Sequence, residues 1–223
     1  MELNAYAANH QKIAYFNRLL ERFPVLKECG QSILMAEQLI SQAFQAGQKL
    51  LVCGNGGSAA DAEHLSGELL KSFLKQRRLS DELISKMAVE AGRTAIETDW
   101  INRLQGSLPV IVLTTNGAIA TAISNDQGAD LIFAQQVLGC GASGDVLVCI
   151  STSGNSENIL KAAIVAKAKG IKVIGLTGLT GGRLISVCDV NINVPVQETY
   201  QIQELHLPIY HCLSAMLEEE FFG

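Results

Sequence analysis

Five short apolar runs punctuate this chain, and helical patterns fill the gaps between them. The runs are residues 49–53 (KLLVC), 109–115 (PVIVLTT), 145–151 (DVLVCIS), 172–177 (KVIGLT) and 190–194 (VNINV). Each is rich in Val, Ile and Leu and bounded by Gly, Asn, Ser or Asp. Strands covered on both faces read this way, as continuous apolar runs rather than alternating ones. Residues 156–169 (SENILKAAIVAKAK) have a helical pattern that stops at Gly170, a residue suited to the position after a helix. Strands alternating with helices predict an α/β fold, a three-layer α/β/α sandwich around a central five-stranded parallel sheet.

Two segments lie outside that alternation. Residues 1–47 are helical in pattern, and Pro24 separates or bends two helices. They carry too many apolar positions for a free tail, so they are expected to pack on the domain or on a partner subunit. Residues 79–107 hold two helix-start signals, Ser80 before Asp81-Glu82 and Thr94 or Thr98 further on, with Gly92 dividing the pieces. Ile96, Trp100 and Leu104 recur at i, i+4, i+8 and would form one apolar stripe, expected to pack rather than to bind.

Composition narrows the function classes. Hydrophobic residues make up 48% and charged residues 17%, which excludes intrinsic disorder. The formal charge of −5 argues against a nucleic-acid partner, which needs a basic footprint. Lys71, Lys75, Arg77 and Arg78 form the longest basic cluster and read as a solvated helix end. No run approaches the roughly 18–20 apolar residues that span a bilayer, and Met1-Glu2-Leu3-Asn4 does not open a secretory signal. The six cysteines include no CxxC pair, and Cys53, Cys149 and Cys212 sit in apolar runs. The expectation is a reduced, cytoplasmic protein without structural disulfides or a membrane partner.

Three groups of residues carry chemistry. Cys53-Gly54-Asn55-Gly56-Gly57-Ser58 follows a strand and opens a helix. Glycines allow close backbone approach, and a helix N-terminus offers free N–H groups to an anion. A plain tight turn is the alternative. Ser151-Thr152-Ser153-Gly154-Asn155-Ser156 also lies between a strand and a helix, and its hydroxyls can surround a phosphate or merely cap the helix. Neither segment matches a Walker A or a dinucleotide fingerprint, so no nucleotide cofactor is expected and a small phosphorylated molecule fits better. The third group is ionisable. His64 and Glu68 are four apart and share a helical face. Gln203 and His211 lie on a long C-terminal helix, about 80° apart around it, with Pro208 between them. Glu204 and His206 are alternatives on that helix, and any of these histidines can instead be a packed core residue.

The segments CGNGGSAADAEH, STSGNS, GLTGLTGG and QELHLPIYH together resemble the sugar-isomerase (SIS) domain, and more specifically the phosphoheptose isomerase family. The likeness runs from about residue 10 to the end, except for the insertion at about 79–107. It implies a flavodoxin-like SIS domain over 1–223, with the N-terminal helices as part of it. It implies substrate contacts from Asn55, Gly56, Gly57 and Ser58, from Asn125 and Asp126, from Ser151, Thr152, Ser153 and Ser156, and from Gln203. It implies Glu68 and His211 as catalytic groups, and His64, Glu68, Gln203 and His211 as zinc ligands. A homotetramer with sites across subunit interfaces is also implied, which could bring Glu68 and His211 together from different chains. The implied reaction converts sedoheptulose 7-phosphate to D-glycero-D-manno-heptose 7-phosphate through an enediol, for surface-polysaccharide heptose synthesis. Where the family commonly has Arg before Ile202, this chain has Gln201, and Tyr200 stands near where some members carry a polar or acidic residue. Isomerisation of another phosphosugar stays open, as does a non-catalytic regulator of the replication-initiator-associating type. The histidine at 211, which that regulator lacks, favours the enzyme.

Overall fold

The structure, a computed structural model, describes residues 2–94 and 96–223, with side chains from residue 10 onward. Met1 and Ala95, which belong to the N-terminal segment and the insertion, lie outside the described residues. Five parallel strands form one sheet: β1 (Leu50–Gly54), β2 (Val110–Val112), β3 (Val146–Ser151), β4 (Lys172–Thr177) and β5 (Val190–Asn193). Their spatial order is β2-β1-β3-β4-β5. The expected architecture is therefore present, and the order reverses direction beside β1. In open parallel sheets ligands bind at such a reversal, beyond the carboxyl ends of the strands.

Each strand sends alternate side chains to opposite faces. Leu50 and Val52 of β1, with Val146, Val148 and Ile150 of β3, enter one core. Leu51, Cys53, Leu147 and Cys149 enter the other. The first core is closed by α1 (Glu2–Arg22), α2 (Gly30–Gln45), α3 (Gly57–Leu70) and α8 (Thr199–Phe222). The second is closed by α6 (Ile132–Cys140) and α7 (Glu157–Ala168). Pro24 does separate two helices, through a short 3-10 turn over Pro24–Cys29. Lys12 of α1 bridges Glu37 of α2 at 2.8 Å and also pairs with Glu220 of α8, so the N-terminal helices are tied to the domain.

The edge strands are shorter than their sequences suggest. β2 stops at Val112 instead of reaching Thr115, because Thr114 and Thr115 turn toward α5 (Gly117–Asp126). In the insertion, α4 (Asp81–Arg93) starts as expected, with the Ser80 hydroxyl accepting from the Leu83 amide. The second piece is not a helix carrying an apolar stripe. Only Asp99–Arg103 coils, as a 3-10 turn, and Ile96 and Leu104 lie outside it and are exposed. Three apolar residues at helical spacing do not by themselves offset the cost of nucleating a short helix.

The basic cluster also differs from expectation. α3 ends at Leu70, and residues 71–78 leave it as a loop rather than a solvated helix end. Arg77 is 1% exposed. Its guanidinium donates to Glu218 Oε1 (2.8 Å) and to the carbonyls of Leu69 (2.6 Å) and Glu68 (2.7 Å), and it lies over the Phe222 ring. The Glu218 carboxylate also accepts from the amides of Phe73, Leu74 and Lys75. The partner sits 141 residues away, beyond the reach of local pattern. Removing one member of a buried, hydrogen-bonded pair strands the other and costs about 3–5 kcal/mol. Arg77→Ala is expected to lower the unfolding free energy by about that amount in a urea titration. A loss below about 1 kcal/mol, the value of an exposed pair, would take this ion pair out of the framework.

Candidate active site

Two turns meet at the carboxyl ends of β1 and β3, which pair directly. Gly56 opens the first turn with φ 56°, a conformation that a side chain disfavours. α3 starts at the next residue. In the second turn, Ser151 accepts from the Gly154 amide (3.2 Å) and lies 3.4 Å from Ser156 Oγ. Gly154 has φ 64°, and a β-carbon there would collide with the Gly181 carbonyl. The two turns are joined by a reciprocal amide pair. Asn55 and Asn158 each donate to the other at 2.9 Å. Asn158 was not singled out from the sequence; its signal was its place in the first turn of α7, just after the serine loop.

Among the implied substrate-binding groups, Asn55, Gly56, Gly57 and Ser153 are exposed, and Thr152 and Ser156 are half-buried. Ser58 is 3% exposed and Ser151 is also buried. Asn125 and Asp126 stand at the exposed end of α5, where Asn125 donates to Asp126 at 2.8 Å. The side chain of Gln203 lies against the first turn, since a β-carbon at Gly57 would overlap its amide. Tyr200 is exposed and its hydroxyl accepts from Gln201 (3.3 Å).

The ionisable groups converge within one chain. His64 Nε2 lies 3.2 Å from Glu68 Oε1 and 3.3 Å from His211 Nε2. Candidate ligand atoms of the three lie within 4.8 Å of one another. Glu68 and His211 thus need no second chain to meet; packing of α3 on α8 brings them together. Phe73, held by Glu218, stacks on His211 at 5.5 Å. Behind the cluster, the Tyr210 hydroxyl lies 3.0 Å from His64 Nδ1 and 3.3 Å from Asp61 Oδ1. Burial, helped by the neighbouring His64, holds His211 below the usual imidazole range. Burial also raises the Asp61 carboxyl, although the Tyr210 hydrogen bond opposes it.

Two imidazoles and a carboxylate are the donor set of a three-ligand catalytic zinc site. The converging atoms all carry lone pairs when the groups are in their ligand forms, so a cation fits among them. The alternatives on α8 do not join this cluster. Glu204 is exposed, and with Tyr15, Arg18, Phe73, Leu207 and His211 it lines a groove of about 350 Å³ beside α1. His206 is buried in the core.

The chain matches the SIS domain family over residues 13–107 and 101–178. It is 40% identical over 206 residues to a phosphoheptose isomerase of Rhodospirillum rubrum, covering 92% of this chain and 95% of that one. A phosphoheptose isomerase of Geotalea daltonii is 37% identical over 222 residues, covering 100% and 97%. The structure of phosphoheptose isomerase GmhA from Neisseria gonorrhoeae superposes with a TM-score of 0.68 at 32% identity, over 97% of this chain and 98% of that one.

His206 makes a prediction separate from catalysis. Burial pushes its pKa from 6.5 down to about 4, against a weaker pull from the Thr177 backbone. The unfolded chain therefore takes up a proton near pH 6.5 that the folded chain refuses until about pH 4. Stability from this group falls as the pH drops through that window, by up to about 3 kcal/mol, and levels off below it. Urea midpoints measured from pH 7 to pH 4.5 should fall less steeply for His206→Gln than for the wild type. Parallel profiles would remove His206 as the source.

With this scaffold, these two turns and this cluster matched to those relatives over nearly their whole length, the chain is an isomerase and belongs to the phosphoheptose isomerase family of SIS-domain proteins.

Proposed function

We propose that this chain converts sedoheptulose 7-phosphate to D-glycero-D-manno-heptose 7-phosphate through an enediol. The observation that carries the reading is the convergence of His64, Glu68 and His211 on a family scaffold. The phosphate is received by Ser151, Thr152, Ser153 and Ser156 and by the free amides that open α7. Gly56 and Gly57 contribute the amides that open α3, and Ser58 follows them in the same turn. Asn55, Asn125, Asp126 and Gln203 contact the sugar hydroxyls. The phosphate acts as a handle whose binding energy places the reacting carbons.

Glu68 takes a proton from C1 while His211 supplies one to the C2 oxygen, giving the enediol. Glu68 then returns its proton to C2 and His211 removes one from the C1 oxygen, leaving the aldehyde. Glu68 Oε1 faces His64, so Oε2 is the oxygen left to carry the carbon-bound proton. Such proton transfers contribute about 10²–10⁴-fold each. His64, Glu68 and Gln203 would hold zinc, with His211 joining them through Nε2 and exchanging its proton at Nδ1. When bound, zinc supplies Lewis-acid polarisation of the substrate oxygens.

The groove beside α1 exposes apolar surface next to His211, which supports a homotetramer with sites near subunit interfaces. The two matched segments overlap at 101–107 and together run from 13 to 178, which supports reading the chain as one SIS domain that includes the segment at 79–107. No helix among the described residues is long and apolar enough to cross a membrane. The remaining parts of the reading are a cytoplasmic location and a role in surface-polysaccharide heptose synthesis.

Product analysis with sedoheptulose 7-phosphate, beside hexose and pentose phosphates, tests the substrate. Conversion to a heptose 7-phosphate is expected, and conversion of a different sugar phosphate alone would move the substrate. Glu68→Gln keeps the shape and removes the base, so kcat is expected to fall by about 10³-fold or more while phosphosugar binding persists. Near wild-type turnover in that variant would exclude Glu68 from the proton transfer.

A further inference from the structure

A hydrogen-bonded chain runs from the core to the cluster. Tyr210 is 1% exposed, and its ring meets His64 and His211 edge to face at 5.4 and 5.1 Å. Its hydroxyl sits between Asp61 Oδ1 (3.3 Å) and His64 Nδ1 (3.0 Å). The other Asp61 oxygen, Oδ2, is buried without a hydrogen-bond partner. Among the described residues, Tyr210 is thus the donor that this carboxylate has. A phenol carries one hydrogen. If it goes to Asp61, the phenol oxygen accepts from His64, which must then carry its proton on Nδ1. Given to His64 instead, the hydrogen would leave the half-buried carboxylate with no donor, a costly state, and would push the imidazole proton to Nε2. That nitrogen faces Glu68 and His211, where a proton would occupy the place of a metal ion.

We propose that Asp61 and Tyr210 are positioning residues that fix His64 in its Nδ1–H tautomer and leave Nε2 free to bind a cation with Glu68 and His211. This rests on reading that cluster as a metal site. A ligating histidine is commonly held in this way through its other ring nitrogen. The spacing suits the task. Asp61 and His64 are three apart on α3, and Tyr210 and His211 are adjacent on α8, so one helix pairing sets both the cluster and its support.

Nitrogen-15 spectra of histidine-labelled, metal-stripped protein read the tautomer directly, with His64→Gln identifying the signal. The wild type is expected to show Nδ1–H. Asp61→Ala releases the phenol to donate to His64 and should move the proton to Nε2. Asp61→Asn keeps an acceptor and should hold Nδ1–H, an outcome that a merely structural role for Asp61 does not predict. Calorimetric titration with zinc should show Tyr210→Phe and Asp61→Ala binding about 10- to 100-fold more weakly than the wild type. An Nε2–H wild type, or variants that bind zinc as tightly as the wild type, would overturn the proposal. A wild type that takes up no zinc at all would overturn its metal-binding half together with the metal reading of the cluster. A tautomer pattern that held in that case would place the fault in the metal reading and not in the Asp61–Tyr210 support.

Discussion

β1 and β3 lie side by side in parallel register, Leu50 against Val146 through Gly54 against Ile150. The placement of the two turns follows from that pairing. Because the chain leaves β1 on one side to form β2 and returns on the other to form β3, no crossover helix covers the space beyond their carboxyl ends. Two turns open into it, each leading into a helix whose first amides have no intrahelical partner. The Asn55–Asn158 amide pair then holds the two turns at a fixed separation. The cradle proposed for the phosphate is thereby lined by backbone groups and hydroxyls.

The chemical end of the site depends on a different contact, that of α3 with α8. α8 is buried on nearly all sides from Ile209 to Glu219. A carboxylate on a helix in that position is costly unless it is paired. Glu218 meets that demand by accepting three loop amides and the Arg77 guanidinium. Arg77 in turn caps the carbonyls of Glu68 and Leu69 at the end of α3. The end of α3, the loop after it and α8 are thus joined by one fixed charge pair. Glu68 and the His211-stacking Phe73 both sit on groups that this pair holds. Proton transfer requires the base to be held within hydrogen-bond reach of its proton, so this connection serves the proposed chemistry as well as stability.

Much of this was legible in the sequence, and what was not has a physical reason. Continuous apolar runs gave the parallel sheet, because burial on both faces leaves no alternation to confuse the pattern. Glycines and hydroxyls at strand ends marked both turns. His64 and Glu68 could be paired because helical spacing is local. Arg77 could not be placed, since nothing within its own neighbourhood distinguishes a buried guanidinium from the exposed Arg78 beside it. Tyr210 and Asp61 were silent for the same reason: each needs a partner from another helix. The stripe of Ile96, Trp100 and Leu104 fails in the opposite direction, as a periodic pattern of which only Asp99–Arg103 coils. The residue roles are implied by the resemblance to the phosphoheptose isomerases and not by any spacing.

The absence of cations from the serine-rich turn is itself part of the chemistry proposed. A lysine or arginine in that turn would bind phosphate more tightly. It would also stabilise the charged form of any nearby carboxylate and weaken it as a base. Arg183, which approaches the turn, is engaged by the Asn155 carbonyl and by Glu157 at 2.6 Å, so its charge is spent outside the cradle. Oriented amides and hydroxyls hold a dianion through many short-range dipoles whose influence fades faster with distance than that of a full charge. In the proposed reaction such a cradle would hold the phosphate at one end of the sugar and keep a full positive charge away from Glu68, which stands beside His64 at the other.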